Sequence, residues 1–194
     1  MGKEKIIIAA AAAVLTLAVL FMTIFALRSD EDRSGTVHIP DTTPLESFDA
    51  LYAYVETYVK EIKRGHYVLT EVEATFRPGD GTDSVCFVYE QVRGLFKDTY
   101  RMTVFPGDHS MNMVFDTGSS RHGEVPKRLE AEKWRLDAEA IADTLTDGEW
   151  DELHFTTEDD RIRMHIYADD AYLCGCEVDP AYNIVLPDTV RYGG

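Results

Sequence analysis

The sequence predicts an α+β protein in which an N-terminal transmembrane helix precedes two halves, each made of one helix and an antiparallel meander. Three observations lead to this fold class. Residues 6–27 form an apolar run that contains no charged residue. The rest of the chain has two segments with helical periodicity, and four short segments rich in β-branched and aromatic residues follow each of them. A helix followed by a run of antiparallel strands is typical of α+β domains.

The apolar run at residues 6–27 has the length of a membrane span. At about 1.5 Å per residue it reaches roughly 30 Å, the thickness of the hydrocarbon core of a bilayer. A signal peptide usually has a shorter apolar core, of about 7–15 residues, so we expect an uncleaved signal-anchor. Lys3 and Lys5 precede the run, and basic residues favour the cytoplasmic side of a membrane. We therefore expect a single-pass protein of the cell membrane whose C-terminal domain is extracytoplasmic.

Composition changes along the chain divide it into five segments. Residues 28–42 are polar and lack periodicity, which predicts a stalk. Each segment beyond the stalk holds one predicted helix and the strands that follow it. The predicted segments are the cytoplasmic N-terminus at 1–5, the transmembrane anchor at 6–27, the stalk at 28–42, the first α+β half at 43–126 and the second α+β half at 127–194.

The first half opens with a helix signal. Thr43 and Glu46 have the spacing of a capping box, and Pro44 stands at the first helical position. Apolar residues then recur at helical spacing and predict one buried face. These residues are Leu45, Phe48, Leu51, Tyr52, Val55, Val59 and Ile62. Gly65 predicts the end of the helix. The strands predicted after it are 66–76, 84–92, 99–105 and 110–115.

The second half repeats this order of elements. Asp137 can cap a helix over residues 138–145, and Asp147 with Gly148 predicts the end of that helix. Segments with strand character follow, separated by acidic turns. The predicted strands are 150–156, 161–168, 172–178 and 182–186.

The charge balance of the chain excludes one class of partner. The chain has 19 Lys and Arg residues against 35 Asp and Glu residues, which gives a formal net charge of −16. Such a surface repels phosphate groups, so nucleic acid is not an expected partner. The sequence also lacks a Gly-rich phosphate loop, a nucleophile elbow and a CxxC pair, and we expect no cofactor.

The three cysteines allow two interpretations. Cys174 and Cys176 lie on the same face if their segment is a strand. Outside the cell, Cys86 could form a disulfide with Cys174 or with Cys176. The alternative is that all three cysteines are small apolar residues of the core.

Two histidines lie on neighbouring predicted strands. His154 and His165 could face each other near Glu152 or Asp159. A metal site there would need a third ligand that the spacing does not identify, so we predict sheet-surface histidines and no metal site. The acidic run 158–160 lacks the surrounding spacing of an EF-hand and is predicted to be a solvated turn.

Residues 114–120 read Val-Phe-Asp-Thr-Gly-Ser-Ser, and this segment resembles the active-site signature of pepsin-like and retropepsin-like aspartic proteases. The resemblance implies that Asp116 is a catalytic carboxylate and that Thr117 and Gly118 shape the loop around it. Two aspartates must share a proton to activate water in such a site. The chain has no second Asp-Thr-Gly or Asp-Ser-Gly, so this activity would require a symmetric dimer. The alternative is that the motif is turn chemistry at the end of a strand.

Residues 134–140 read Trp-Arg-Leu-Asp-Ala-Glu-Ala, which is a tryptophan, a capping aspartate and the start of a helix. This segment resembles the opening of a PepSY repeat. The element order from residue 43 to about residue 188 is similar to that of tandem cystatin-like and PepSY-type modules in membrane-anchored extracytoplasmic proteins. The resemblance implies binding or regulation of a partner in the cell envelope, and it carries no catalytic residues.

These observations lead to one expected function and one alternative. We expect a membrane-anchored, extracytoplasmic binding or regulatory domain without catalytic activity. Its expected partners are the membrane, through residues 6–27, and an envelope protein or peptide. The alternative is a dimeric aspartic protease that uses Asp116. A groove beside the first helix or an exposed strand edge would support the first function, whereas Asp116 beside its copy at a two-fold axis would support the second.

Overall fold

Ten strands of the described residues form one antiparallel sheet, and two helices contribute to the core on one of its faces. A computed structural model describes residues 34–45, 47–62, 66–77, 83–121, 123, 125–158 and 160–193. Residues 35–194 form one compact unit. The strands are β1 (Gly35–His38), β2 (Val68–Phe76), β3 (Ser84–Arg93), β4 (Phe96–Phe105), β5 (Ser110–Ser119), β6 (Glu152–Glu158), β7 (Arg161–Ala168), β8 (Ala171–Asp179), β9 (Ile184–Val185) and β10 (Arg191–Tyr192). The helices are α1 (Phe48–Ile62) and α2 (Ala138–Thr146).

The predicted fold class is wrong. The strands do not form two separate meanders, because β2 pairs with β6 and joins all the strands into a sheet of order β1-β5-β4-β3-β2-β6-β7-β8-β10, with β9 beside β8. An unpaired edge strand leaves backbone donors and acceptors without partners, and the β2–β6 pairing removes two such edges. The protein does contain both helices and strands, but the sheet dominates it.

The predicted membrane anchor is not tested by this structure. Residues 1–5, 6–27 and 28–33 lie outside the described residues. Within the described ranges, no helix is long and apolar enough to cross a membrane. The described part of the predicted stalk includes β1, which pairs with β5 from Gly35–Met113 to His38–Ser110.

Helix α1 begins later than the capping-box spacing predicts. Its first residue is Phe48, and the Ser47 hydroxyl accepts a hydrogen bond of 3.3 Å from the Ala50 backbone N–H. Thr43 instead lies in a turn, where its N–H donates to the Pro40 carbonyl at 2.8 Å. The other member of the predicted box, Glu46, lies outside the described residues. The hydroxyl of Ser47, next to the first residue of α1, therefore stabilises the start of this helix.

The start of α2 follows the local sequence signal. The Asp137 carboxylate accepts a hydrogen bond of 3.1 Å from the Ala140 N–H, which confirms the predicted N-cap. Asp147 takes the left-handed backbone conformation at the C-terminal end of the helix, with φ of 55°. Ile141 and Ala142 lie on the side of α2 that faces the sheet, and both are buried in the core.

Trp134 connects the segment before α2 to the first helix. Its indole stacks on the ring of Phe48, with ring centroids 5.2 Å apart. Phe48 in turn lies 5.9 Å from Phe87, a fully buried residue of β3. The residues that resemble a PepSY opening therefore anchor the chain to α1 and to the core.

The two faces of the sheet differ in chemistry. Side chains alternate between the faces along each strand. The helix-side face carries the buried core, and its largest fully buried side chains include Tyr89, Tyr100, Phe87, Phe155 and Met102. Among the described residues, no helix covers the opposite face, which we call the open face. Threonines, charged pairs and histidines occupy much of it.

Candidate functional site on the open face

An open groove of about 520 Å³ crosses the open face. It runs from β5 over β4, β3 and β2 to β6, which are five adjacent strands of the sheet. The side chains that line it are Glu73, Thr75, Ser84, Cys86, Arg101, Thr103, Val114, His154 and Thr156. The binding hypothesis expected a groove beside the first helix or an exposed strand edge. This groove lies instead on the face opposite the helices.

The strand register places these side chains together. Thr75 pairs with Ser84 of β3 on one side and with His154 of β6 on the other. Cys86 pairs with Thr103 of β4, so its thiol lies next to a hydroxyl on the same face. Because the positions come from strands paired on both sides, the backbone beneath the groove is fixed.

The two oppositely charged residues of the groove face each other. Arg101 Nη1 lies 3.6 Å from Glu73 Oε2, and the two side chains are 48% and 39% exposed. A pair this exposed contributes little to stability, because water screens it. Its effect on the groove is electrostatic, because the two charges oppose each other. Glu71 lies beside Glu73, and burial and the charge of Glu73 raise the pKa of the Glu71 carboxyl group.

Cys86 adds a neutral group to the groove. Burial is the main cause that raises the pKa of its thiol, and the hydrogen bond with Thr103 opposes that shift. A raised pKa keeps the thiol protonated at neutral pH, so Cys86 is not an activated nucleophile.

A hydroxyl, an imidazole and a carboxylate are hydrogen-bonded in series at one end of the groove. Thr75 Oγ1 lies 3.1 Å from His154 Nδ1, and His154 Nε2 lies 2.9 Å from Glu152 Oε1. Glu152 also forms an ion pair with Arg77. Such a series can move a proton, but acyl transfer also needs backbone donors aimed at an oxyanion. The ladders with β3 and β6 use the backbone around Thr75, so in the part of the chain that the structure describes no free backbone donor lies beside this hydroxyl.

Three rings beyond β6, together with His154 on β6, continue the groove. His154 lies edge-on to Tyr167 with centroids 5.6 Å apart, and Tyr167 lies edge-on to Tyr172 at 5.7 Å. His165 lies 6.0 Å from Tyr172. We call these four residues the aromatic patch. Because His154 belongs to both features, the patch and the groove form one continuous surface.

The two histidines that the sequence placed on neighbouring strands are register partners. His154 pairs directly with His165 across β6 and β7, and both belong to the open face. Burial lowers the pKa of His165, and the charges of Arg163 and His154 lower it further. Within the described ranges no cluster of three His, Cys, Asp or Glu side chains could hold a metal ion, and Asp159 lies outside those ranges.

The Asp-Thr-Gly-Ser segment is neither a loop nor a turn in this structure. All four residues belong to β5 and pair with β4, from Asp116–Thr99 to Ser119–Phe96. Asp116 is exposed, and no described residue forms a hydrogen bond or ion pair with its carboxylate. Thr117 points to the other face. The segment therefore lacks the loop geometry that the protease resemblance and the turn interpretation both require, and the dimer itself stays a prediction.

The three cysteines are free thiols in the structure. Cys86 is on β3, and Cys174 and Cys176 are on β8, with three strands between them. At about 4.8 Å per strand, four spacings give about 19 Å, whereas a disulfide requires Cα atoms within about 7 Å. Cys86 also lies on the open face, while Cys174 and Cys176 are buried in the core. The structure does not bring together the cysteines of the predicted disulfide.

Comparison with known proteins identified no relative of this chain. No family model, curated protein or solved structure matches the chain. The PepSY-type and cystatin-like resemblance therefore stays a prediction from the sequence.

Proposed function

We propose that this protein is a membrane-anchored, extracytoplasmic module that binds a ligand without transforming it, and that the groove of the open face is its binding site. The observation that supports the proposal is a groove of about 520 Å³ whose lining includes four hydroxyl side chains, the Glu73–Arg101 pair and His154. Ligand sites are concave and carry a few polar groups that fix the orientation of the ligand. The anchor and the location are inferred from residues 6–27.

The position of the groove supports binding. Its side chains project from the centre of a ten-stranded sheet, and their backbones are held by ladders on both sides. Sites built on strands hold their geometry better than sites built on loops. A ligand that enters therefore loses little affinity to reorganisation of the protein.

The chemistry of the groove supports a non-catalytic role. The thiol of Cys86 is kept protonated by burial, which raises its pKa. The Thr75 hydroxyl has an imidazole partner but no free backbone donors beside it. These groups can form hydrogen bonds with a ligand as donors or as acceptors. The ligand is then released chemically unchanged.

A fragment screen on the full chain tests the proposal. We expect small uncharged fragments to shift the NMR signals of groove residues, and Thr156→Trp to abolish these shifts by filling the groove. Thr144→Trp is the matched control, because Thr144 is exposed on α2, away from the groove. Fragments that bind elsewhere, or that bind Thr156→Trp equally well, would contradict the proposal.

A further inference from the structure

We propose that the groove and the aromatic patch together take an uncharged oligosaccharide. This inference rests on the proposed function, because it names the ligand class for the same site. It follows from the pairing of Glu73 with Arg101, from the hydroxyl groups of the groove, from its length and from the rings at one end.

The charges of the groove do not call for a charged ligand. Glu73 and Arg101 face each other at 3.6 Å, so each already has a partner of opposite sign. A cationic ligand would have to compete with Arg101, and an anionic ligand with Glu73. The formal net charge of −16 belongs to the whole chain, whereas Glu73 and Arg101 contribute one charge of each sign to the lining of the groove. An uncharged ligand does not have to break the pair.

The hydroxyl groups of the groove match those of a sugar. Thr75, Ser84, Thr103 and Thr156 line it, and each hydroxyl can donate one hydrogen bond and accept others. Sugar hydroxyls have the same double capacity. The Glu73 carboxylate adds acceptors and the Arg101 guanidinium adds donors. A sugar hydroxyl can therefore form a hydrogen bond here whether it donates or accepts.

The aromatic patch supplies the second element of sugar recognition. A pyranose ring has an apolar C–H surface and a polar hydroxyl rim, and an amphipathic aromatic side chain suits that surface. Tyr172 is exposed and stands over Gly175, where an added Cβ would lie 2.6 Å from the tyrosine hydroxyl. Tyr172 can therefore reach over β8 because position 175 has no side chain.

The length of the surface favours several sugar units over one. Five adjacent strands span four spacings, which is about 19 Å at about 4.8 Å per spacing. The patch extends the surface over β7 and β8. A single ring would cover a fraction of this surface.

Titration calorimetry of the full chain with matched tetrasaccharides tests the inference. The neutral probes are tetramers of N-acetylglucosamine, glucose, mannose and galactose. The charged probes are the deacetylated glucosamine tetramer, which is cationic, and the galacturonate tetramer, which is anionic. An uncharged hexapeptide of serine and threonine is the peptide probe. We expect at least one neutral tetramer to bind about tenfold more tightly than both charged tetramers and the peptide.

Two variants locate the binding. We expect Tyr172→Ala and Thr156→Trp each to weaken the preferred tetramer at least about tenfold. Tyr182→Ala and Thr144→Trp are controls on exposed residues outside the surface, and both should bind like the wild type. Tighter binding of a charged tetramer or of the peptide would overturn the saccharide assignment. So would the absence of binding by every neutral tetramer. If fragments still bind the groove in a manner sensitive to Thr156→Trp, the proposed function survives that failure; if they do not, both fail.

Discussion

Thr117 Oγ1 donates a hydrogen bond of 3.2 Å to Asp98 Oδ1 across the paired strands β5 and β4. Asp98 is a buried acidic residue, 1% exposed, and Arg93 forms an ion pair with its other carboxylate oxygen. The threonine of the Asp-Thr-Gly-Ser segment therefore satisfies a buried carboxylate on the helix side, while Asp116, one residue earlier, points to solvent. Of these two aspartates, Asp98 has hydrogen-bonding partners, and it lies outside the Asp-Thr-Gly-Ser motif.

Replacement of the buried aspartate should destabilise the protein. We expect Asp98→Ala to lower the free energy of unfolding by about 1.5–3 kcal/mol, because it removes hydrogen bonds from two partners to a charged group. The matched control is Asp116→Ala, which should change the free energy by no more than about 0.5 kcal/mol because Asp116 is exposed. Urea denaturation of both variants measures the difference. Equal losses of unfolding free energy in the two variants would show that the hydrogen bond between Thr117 and Asp98 does not make Asp98 more important for stability than Asp116.

Two glycines should respond differently to an added methyl group. At Gly175 a Cβ would lie 2.9 Å from the Met164 carbonyl oxygen and 3.2 Å from His165 Nδ1, so we expect Gly175→Ala to cost about 1–3 kcal/mol. At Gly118 the nearest atom would be the Lys97 carbonyl oxygen at 4.0 Å, so Gly118→Ala should change stability by no more than about 0.5 kcal/mol. Thermal unfolding compares the variants. A large loss at Gly118 would show that the motif needs its glycine.

Loss of the Trp134 ring should be costly. Trp134 is 6% exposed and stacks on Phe48, so we expect Trp134→Ala to lower the free energy of unfolding by about 3–5 kcal/mol. Trp150 is the control, because it is half-buried and its Nε1 donates to exposed Asp143 at 2.7 Å. Trp150→Ala should cost less than Trp134→Ala in the same denaturant series. The reverse order would contradict the packing of Trp134 against α1.

The thiol content should separate the two interpretations of the cysteines. All three thiols are free in the structure, so we expect three reactive thiols per chain after denaturation without a reductant. In the native protein the reaction should be slow, because burial raises the pKa of Cys86, Cys174 and Cys176. A count of one thiol per chain would show that a disulfide forms despite the separation of β3 and β8.

Some local signals in the sequence predicted local structure correctly, whereas the capping-box spacing of Thr43 and Glu46 placed the start of α1 too early. Asp137 caps α2 as predicted, because a cap depends on residues three positions apart. His154 and His165 face each other, as the sequence allowed, because only two residues separate their strands in the chain. The β2–β6 pairing could not be predicted in this way, since the two strands are far apart in the chain and periodicity does not identify the partner of a strand.

The groove escaped prediction for a related reason. The register of β2 shifts between Leu69 and Glu71, where a bulge interrupts the alternation. Leu69 and Val72 are both buried on the helix side, whereas strict alternation would place them on opposite faces. A slip of one residue exchanges the faces of a strand, so Glu73 and Thr75 reach the groove because of this bulge. Nothing in the local sequence marks its position.

The stability of the protein should fall on acidification because of His165. Burial, Arg163 and His154 lower the pKa of this histidine in the folded state, so the unfolded chain, with a pKa of about 6.5, binds the proton more readily. Stability contributed by neutral His165 is complete above that unfolded pKa and is lost as the pH falls towards the lower folded value. The other group near its ring is Tyr172, with ring centroids 6.0 Å apart.

We expect the Tm of the wild type to fall more between pH 7.5 and pH 5.0 than that of His165→Gln, whose side chain does not titrate. Arg163→Gln should give an intermediate fall, because it removes one charge that opposes protonation of His165. Scanning calorimetry at both pH values measures the three differences. Equal falls for the wild type and His165→Gln would assign the acid sensitivity to other groups. A smaller fall for the wild type would show that protonated His165 stabilises the fold, which would require an acidic partner beside its ring.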